Sequence, residues 1–81
     1  MDYFVYMLKS LGKESVTYVG YTKDLNLRLH QHNESKGAKF TRGKKWKVIY
    51  KKKFISKSKA MSYEYLIKNN KKKRLSIYNN S

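Results

Sequence analysis

Five residues of this chain carry side chains that phosphoryl chemistry uses. Tyr6 and Tyr18 lie in two short runs of aromatic and β-branched residues, Arg28 and His32 follow, and Glu64 comes much later. Two phenols, a guanidinium, an imidazole and a carboxylate look like a site that cuts a phosphodiester. Such a cut needs an in-line water, neutralisation of charge growing on the phosphate, and help for the departing oxygen. The chain has no Cys, so disulfides and thiolate metal sites are excluded and any metal must be held by oxygen or nitrogen.

The elements that must position these groups can be read from pattern. Tyr3 to Leu8 is an unbroken apolar run that suits a central strand covered on both faces, and Val16 to Tyr21 is again β-branched and aromatic. The two form a hairpin through the polar stretch Ser10 to Ser15. A turn centred on Gly12 places Tyr6 directly opposite Tyr18, with both phenols on one sheet face. Thr22 or Asp24 caps a helix running to about Asn33, with Leu25 and Leu29 as its apolar stripe and Arg28 and His32 at the rim of that stripe. Lys47 to Phe54 is a third strand whose Lys51 to Lys53 marks an exposed edge. Ser56 or Ser58 caps a helix over Lys57 to Asn69. On it Ala60, Tyr63, Glu64 and Ile67 share one face, which leaves a carboxylate in a stripe that should be buried. Lys71 to Tyr78 forms a last short basic helix.

Length and charge set the class. The 81 residues make one domain, 1–81, with a small core. No apolar run approaches the roughly 20 residues of a spanning helix, and the N-terminus lacks a signal-peptide pattern, so the reading is soluble and cytoplasmic. Twenty Lys and Arg against five Asp and Glu give a net charge of +15, which concentrates polyanions around the molecule and makes nucleic acid the default partner. The loop after the first helix interleaves cations with aromatics: Lys36, Lys39, Phe40, Arg42, Lys44, Lys45 and Trp46 supply what backbone tracking and base stacking require. The alternative is that Phe40 and Trp46 pin the loop to the core while the lysines are solvated.

In order and spacing these residues resemble the GIY-YIG nuclease superfamily, most closely its small single-domain bacterial branch. Phe4-Val5-Tyr6 stands for the first tripeptide of the family name and Tyr18-Val19-Gly20 for the second. Arg28 lies ten residues after Tyr18 and His32 four further on, as in the family. Glu64 falls where the metal-binding Glu is expected, and Gly37 to Gly43 looks like a signature of the small branch. The resemblance implies an α/β (α+β) domain, a three-stranded antiparallel sheet flanked by helices, and a divalent-metal-dependent endonuclease acting on DNA ahead of RNA, in repair or recombination.

It also implies roles. Glu64 would hold one Mg²⁺ or Mn²⁺, a hard cation that keeps several waters and takes few carboxylates. Arg28 would grip a non-bridging oxygen, and Tyr18 would position water or phosphate. Tyr6 is the family's candidate general base, although a phenol with a pKa of about 10 needs nearby positive charge for that work. His32, with an ordinary pKa of about 6.5, is the rival base or proton relay. The residues leave that choice open. Each also has a plainer reading: strand aromatics for the tyrosines, an Arg28–Asp24 helix pair, a packed His32, and a Glu64–Lys pair.

Some positions depart from the pattern. Phe4 replaces the first Gly, Tyr21 stands where excision-repair members carry a Lys near the phosphate, and Asn79 and Asn80 are the candidates for the family's late Asn. Larger members gain target choice from attached domains, so a protein partner is the expected substitute. Two other functions compete with the nuclease: a nucleic-acid-binding module that keeps the fold with little or no hydrolysis, and a basic adaptor for an acidic protein.

Overall fold

The computed structural model describes residues 2–81. The chain runs β1 (Tyr3–Ser10), β2 (Thr17–Thr22), α1 (Leu25–Asn33), a 3-10 turn (Lys39–Thr41), β3 (Trp46–Phe54), α2 (Lys57–Lys68) and α3 (Lys71–Asn79). The strands make one antiparallel sheet in the order β2-β1-β3. Its central strand is β1, which explains the unbroken apolar run: alternate side chains point to opposite faces, and both faces are covered. Val5 and Met7 pack with Val19, Ala60 and Ile67 beneath α2 and α3. Tyr6 and Leu8 pack with Trp46, Leu25 and Leu29 beneath α1. Burying a side chain such as Leu8 completely contributes roughly 1.5–3 kcal/mol.

The helices begin where the sequence offers caps. The Asp24 carboxylate accepts from the Leu27 N–H at 3.0 Å, the Ser56 hydroxyl from Lys59 at 3.1 Å, and the Asn70 amide oxygen from Lys73 at 3.0 Å. Arg74 closes the other end of α2 by donating to the carbonyls of Ile67 and Lys68. Strand β3 is an edge, and its Lys51, Lys52 and Lys53 are exposed. A register shift opposite Met7 and Leu8 leaves Ile49 between Val48 and Tyr50 as an extra residue, so Ile49 and Tyr50 both pack on the α2 side.

The hairpin register differs from the expected one. Tyr6 pairs with Gly20, and Tyr18 with Leu8. The cause is Ser10, which extends β1: its hydroxyl accepts from the Val16 N–H at 2.9 Å, and its own N–H donates to the Val16 carbonyl at 2.9 Å. These bonds close a wider loop than a turn centred on Gly12. The shift is two residues, so side-chain parity is kept and both phenols still share a face.

Candidate functional site

The site starts from Tyr6 on the α1 face of the sheet. Its phenol lies across β2 at Gly20, where an added Cβ would come within 2.6 Å of the hydroxyl and 3.2 Å of the Tyr18 ring. The glycine of Tyr18-Val19-Gly20 therefore makes room for the first tyrosine. Tyr18 is the diagonal neighbour of Tyr6 across the two strands, with ring centroids 6.4 Å apart.

Helix α1 supplies Arg28 and His32 one turn apart. His32 was expected at the rim of the apolar stripe; it is instead 0 % exposed, enclosed by the loop that follows α1. Its Nε2 is 2.9 Å from the Tyr6 hydroxyl and its Nδ1 is 2.8 Å from the Thr41 hydroxyl. The Tyr18 ring lies 5.1 Å from the imidazole. Gly37 packs directly on that ring, and a Cβ there would overlap Nδ1. Arg28 is half-buried beside Tyr6 and donates to the Gln31 side chain at 3.1 Å. Asp24 is used as the helix cap, and no Arg28–Asp24 ion pair occurs among the described residues.

Glu64 arrives by another route. Helix α2 packs on the opposite sheet face, so the five residues do not meet on one face as expected. Position 64 belongs to the inward side of α2, but helical periodicity cannot say which face of a sheet that side covers. Glu64 is 18 % exposed and pairs with Lys68 at 3.5 Å; the Lys68 ammonium lies 6.0 Å from the centre of the Tyr18 ring. Its negative charge also reaches Tyr6, where it opposes ionisation of the phenol. Glu64 thus flanks the tyrosines from beyond β2.

Electrostatics separate the buried pair from the rest. Burial pushes the Tyr6 phenol up to about 12, with the Arg28 guanidinium pulling the other way. Burial and the Arg28 charge both hold His32 below its ordinary 6.5. Near neutral pH the pair is therefore a phenol against an uncharged imidazole. Tyr6 is 1 % exposed, while Tyr18, Arg28 and Glu64 are only partly buried.

The loop divides into an inner and an outer part. Lys36, Lys39, Arg42, Lys44 and Lys45 are exposed, and Lys45 donates to the Asn33 carbonyl at 2.8 Å. Phe40 is 57 % exposed and stacks on Tyr18 with centroids 6.2 Å apart, whereas Trp46 is buried as a core residue of β3. A shallow hollow lined by Tyr18, Phe40, Lys68 and Arg74 opens beside the second tyrosine. Thr41 and Gly37, which hold His32, were not singled out individually in the sequence. A threonine between Phe40 and Trp46, buried when its neighbours are basic, leaves little trace in pattern.

A metal fits this donor set in one way only. Among the described residues no group of three or more His, Cys, Asp or Glu side chains gathers, and both His32 nitrogens are engaged. Glu64 alone suits a hard cation that draws its remaining ligands from water and phosphate.

Comparison with known proteins shows the family and the fold. The GIY-YIG catalytic domain matches residues 2–79. The chain is 48% identical over 68 residues to a UPF0213 protein of Oceanobacillus iheyensis, covering 83% of this chain and 77% of that one. It is 36% identical over 78 residues to the UPF0213 protein YazA of Bacillus subtilis, covering 95% and 77%. The solution NMR structure of a UPF0213 protein from Bacillus halodurans superposes with a TM-score of 0.57 at 34% identity, covering 98% of this chain and 84% of that one.

Proposed function

Because the chain belongs to the GIY-YIG catalytic domain family, we propose that it is a divalent-metal-dependent endonuclease that hydrolyses DNA, in repair or recombination. The observation that carries this reading is the 2.9 Å contact between the Tyr6 hydroxyl and His32 Nε2, with Arg28, Tyr18 and Glu64 around it.

That contact lets a phenol with a pKa of about 12 act as a base without being ionised beforehand. Tyr6 takes a proton from the attacking water as its own proton passes to His32 Nε2. No free phenolate need accumulate, and the imidazole is uncharged and ready to accept. Both His32 nitrogens are engaged, Nε2 by the Tyr6 hydroxyl, so it acts through Tyr6. Arg28 neutralises a non-bridging phosphate oxygen, and the Tyr18 hydroxyl orients the water or the phosphate. Glu64 would hold one Mg²⁺ or Mn²⁺, which when bound stabilises charge on the phosphoryl group and the leaving oxygen. Lys36, Lys39, Arg42, Lys44 and Lys45 track the backbone, and the exposed face of Phe40 offers a surface for a base.

A second reading is a nucleic-acid-binding module with little hydrolysis, favoured by the burial of Tyr6 and the pairing of Glu64 with Lys68. The two separate in one assay with single-stranded, nicked and branched DNA and with RNA, with Mg²⁺, Mn²⁺ or chelator. The nuclease reading expects metal-dependent cleavage that Glu64→Ala abolishes. Cleavage unchanged in that variant would remove Glu64 from the mechanism. Salt-sensitive binding without cleavage under any condition selects the module.

A further inference from the structure

We propose that Thr41 is a positioning residue: it holds His32 as the neutral tautomer protonated on Nδ1, and so makes Nε2 the acceptor of the Tyr6 proton. Its catalytic consequence rests on the nuclease reading, while the tautomer itself is a property of the folded chain alone.

The direction of the hydrogen bonds follows from counting protons. The Thr41 Oγ1 is 2.8 Å from the Ala38 carbonyl, which can only accept, so the one hydroxyl proton is spent there. Towards His32, at 2.8 Å, Oγ1 can then only accept, and Nδ1 must carry a hydrogen. An uncharged imidazole has a single N–H, which leaves Nε2 bare. Nε2 is 2.9 Å from the Tyr6 hydroxyl and accepts its proton. The far end of the chain gives the same answer independently. Arg28 is a donor only, and among the described residues His32 Nε2 is the hydrogen-bond acceptor available to the Tyr6 hydroxyl. In the opposite tautomer Nε2 would donate, and a fully buried phenolic proton would be left without a partner.

The loop is built to keep this order. Thr41 is fully buried; its N–H also donates to the Ala38 carbonyl, at 3.0 Å, and its own carbonyl accepts from the Trp46 indole at 2.9 Å. Gly37 lets the turn close directly on the imidazole. The sequence from Gly37 to Thr41 thus has an inward purpose besides its exposed cations. It sets whether the His32 nitrogen that faces the tyrosine is free to accept, a second-layer task that decides whether the relay can run forwards.

The test is the 15N–1H long-range spectrum of the intact protein labelled at histidine, recorded where His32 is uncharged, with exposed His30 as the internal reference. Wild type and Thr41→Ser are expected to show the proton on Nδ1 of His32. Thr41→Val, nearly isosteric but without the hydroxyl, is expected to lose that preference. In single-turnover cleavage Thr41→Val should be slower by about 100-fold with substrate affinity little changed, and Thr41→Ser should recover most of the rate. A wild-type His32 protonated on Nε2 would overturn the proposal, whether or not the protein cuts DNA. So would Thr41→Val that keeps both the Nδ1 proton and the full rate. Should Thr41→Val fail to fold, the wild-type and Thr41→Ser spectra still decide. If wild type does not cleave, the nuclease reading fails and the tautomer assignment is judged on the spectra alone.

Discussion

Each face of the sheet sets a tyrosine hydroxyl against a partner, fully buried on one face and partly buried on the other, and the two partners differ in kind. On the α1 face Tyr6 meets His32 at 2.9 Å; on the α2 and α3 face Tyr50 meets Tyr63 at 2.6 Å. Burial leads the rise of both phenols, each to about 12, and for Tyr50 the Tyr63 hydroxyl adds to it. An elevated phenol pKa is therefore no mark of catalysis in this fold. What distinguishes the α1 face is that its phenol meets an uncharged imidazole, a stronger base than a second phenol. The far face also packs around Val5, Met7, Val19, Ala60 and Ile67, and its work is cohesion.

Substitutions at the two hydroxyls should break this pairing most sharply. Tyr6→Phe should lower cleavage by about 10²–10⁴-fold, while Tyr50→Phe should stay near the wild-type rate and cost about 1 kcal/mol of stability for the lost hydrogen bond; rates under single turnover and urea midpoints check both. Ile67→Ala, fully buried on the far face, should cost roughly 2–5 kcal/mol while leaving the cleavage rate of the folded fraction nearly intact. Gly20→Ala should do harm on the near face, displacing the Tyr6 hydroxyl and costing about 1–3 kcal/mol from overpacking. Its signature is a loss of rate larger than its loss of urea stability would explain.

The faces should also differ in their pH response. For His32 the folded pKa lies below the unfolded value of about 6.5, so the unfolded chain binds more protons there. Its contribution is fully present above that value and is lost as pH falls through the folded pKa. For Tyr6 and Tyr50 the folded values near 12 exceed the unfolded value of about 10. Their contribution is present below about 10 and is lost as pH rises towards about 12. Urea titrations across pH should show an acid limb that His32→Gln flattens, and an alkaline limb that Tyr6→Phe and Tyr50→Phe each reduce. The smallest effect belongs to the outer loop: removing Arg42 or Lys39 should weaken nucleic-acid binding modestly and lower the salt slope by about one per cation.

The fold was legible where one residue type had one job. The unbroken run of β1 announced a strand covered on both sides, Asp24 and Ser56 announced helix starts, and the lysines of β3 announced an edge. The register of the hairpin was not legible, because it depends on a Ser10 hydroxyl closing the loop on Val16. For the site, the sequence named Tyr6, Tyr18, Arg28 and His32 but not the space they need, which Gly20 and Gly37 provide. Thr41 was hidden for a related reason: its partner His32 lies on another element, and only the folded loop makes a threonine in a basic stretch an interior residue. Glu64 was read as inward-facing, and its sheet face could not follow from periodicity alone.

The most direct test of the account is single-turnover cleavage of an end-labelled DNA strand in Mg²⁺, with wild type, Tyr6→Phe, Tyr50→Phe and Glu64→Ala compared at equal folded concentration. The account predicts cutting by wild type and Tyr50→Phe, cutting slowed by about 10²–10⁴-fold in Tyr6→Phe, and none above background by Glu64→Ala or by wild type with chelator. Cleavage by Tyr6→Phe at the wild-type rate, or equal loss in Tyr6→Phe and Tyr50→Phe, would contradict it.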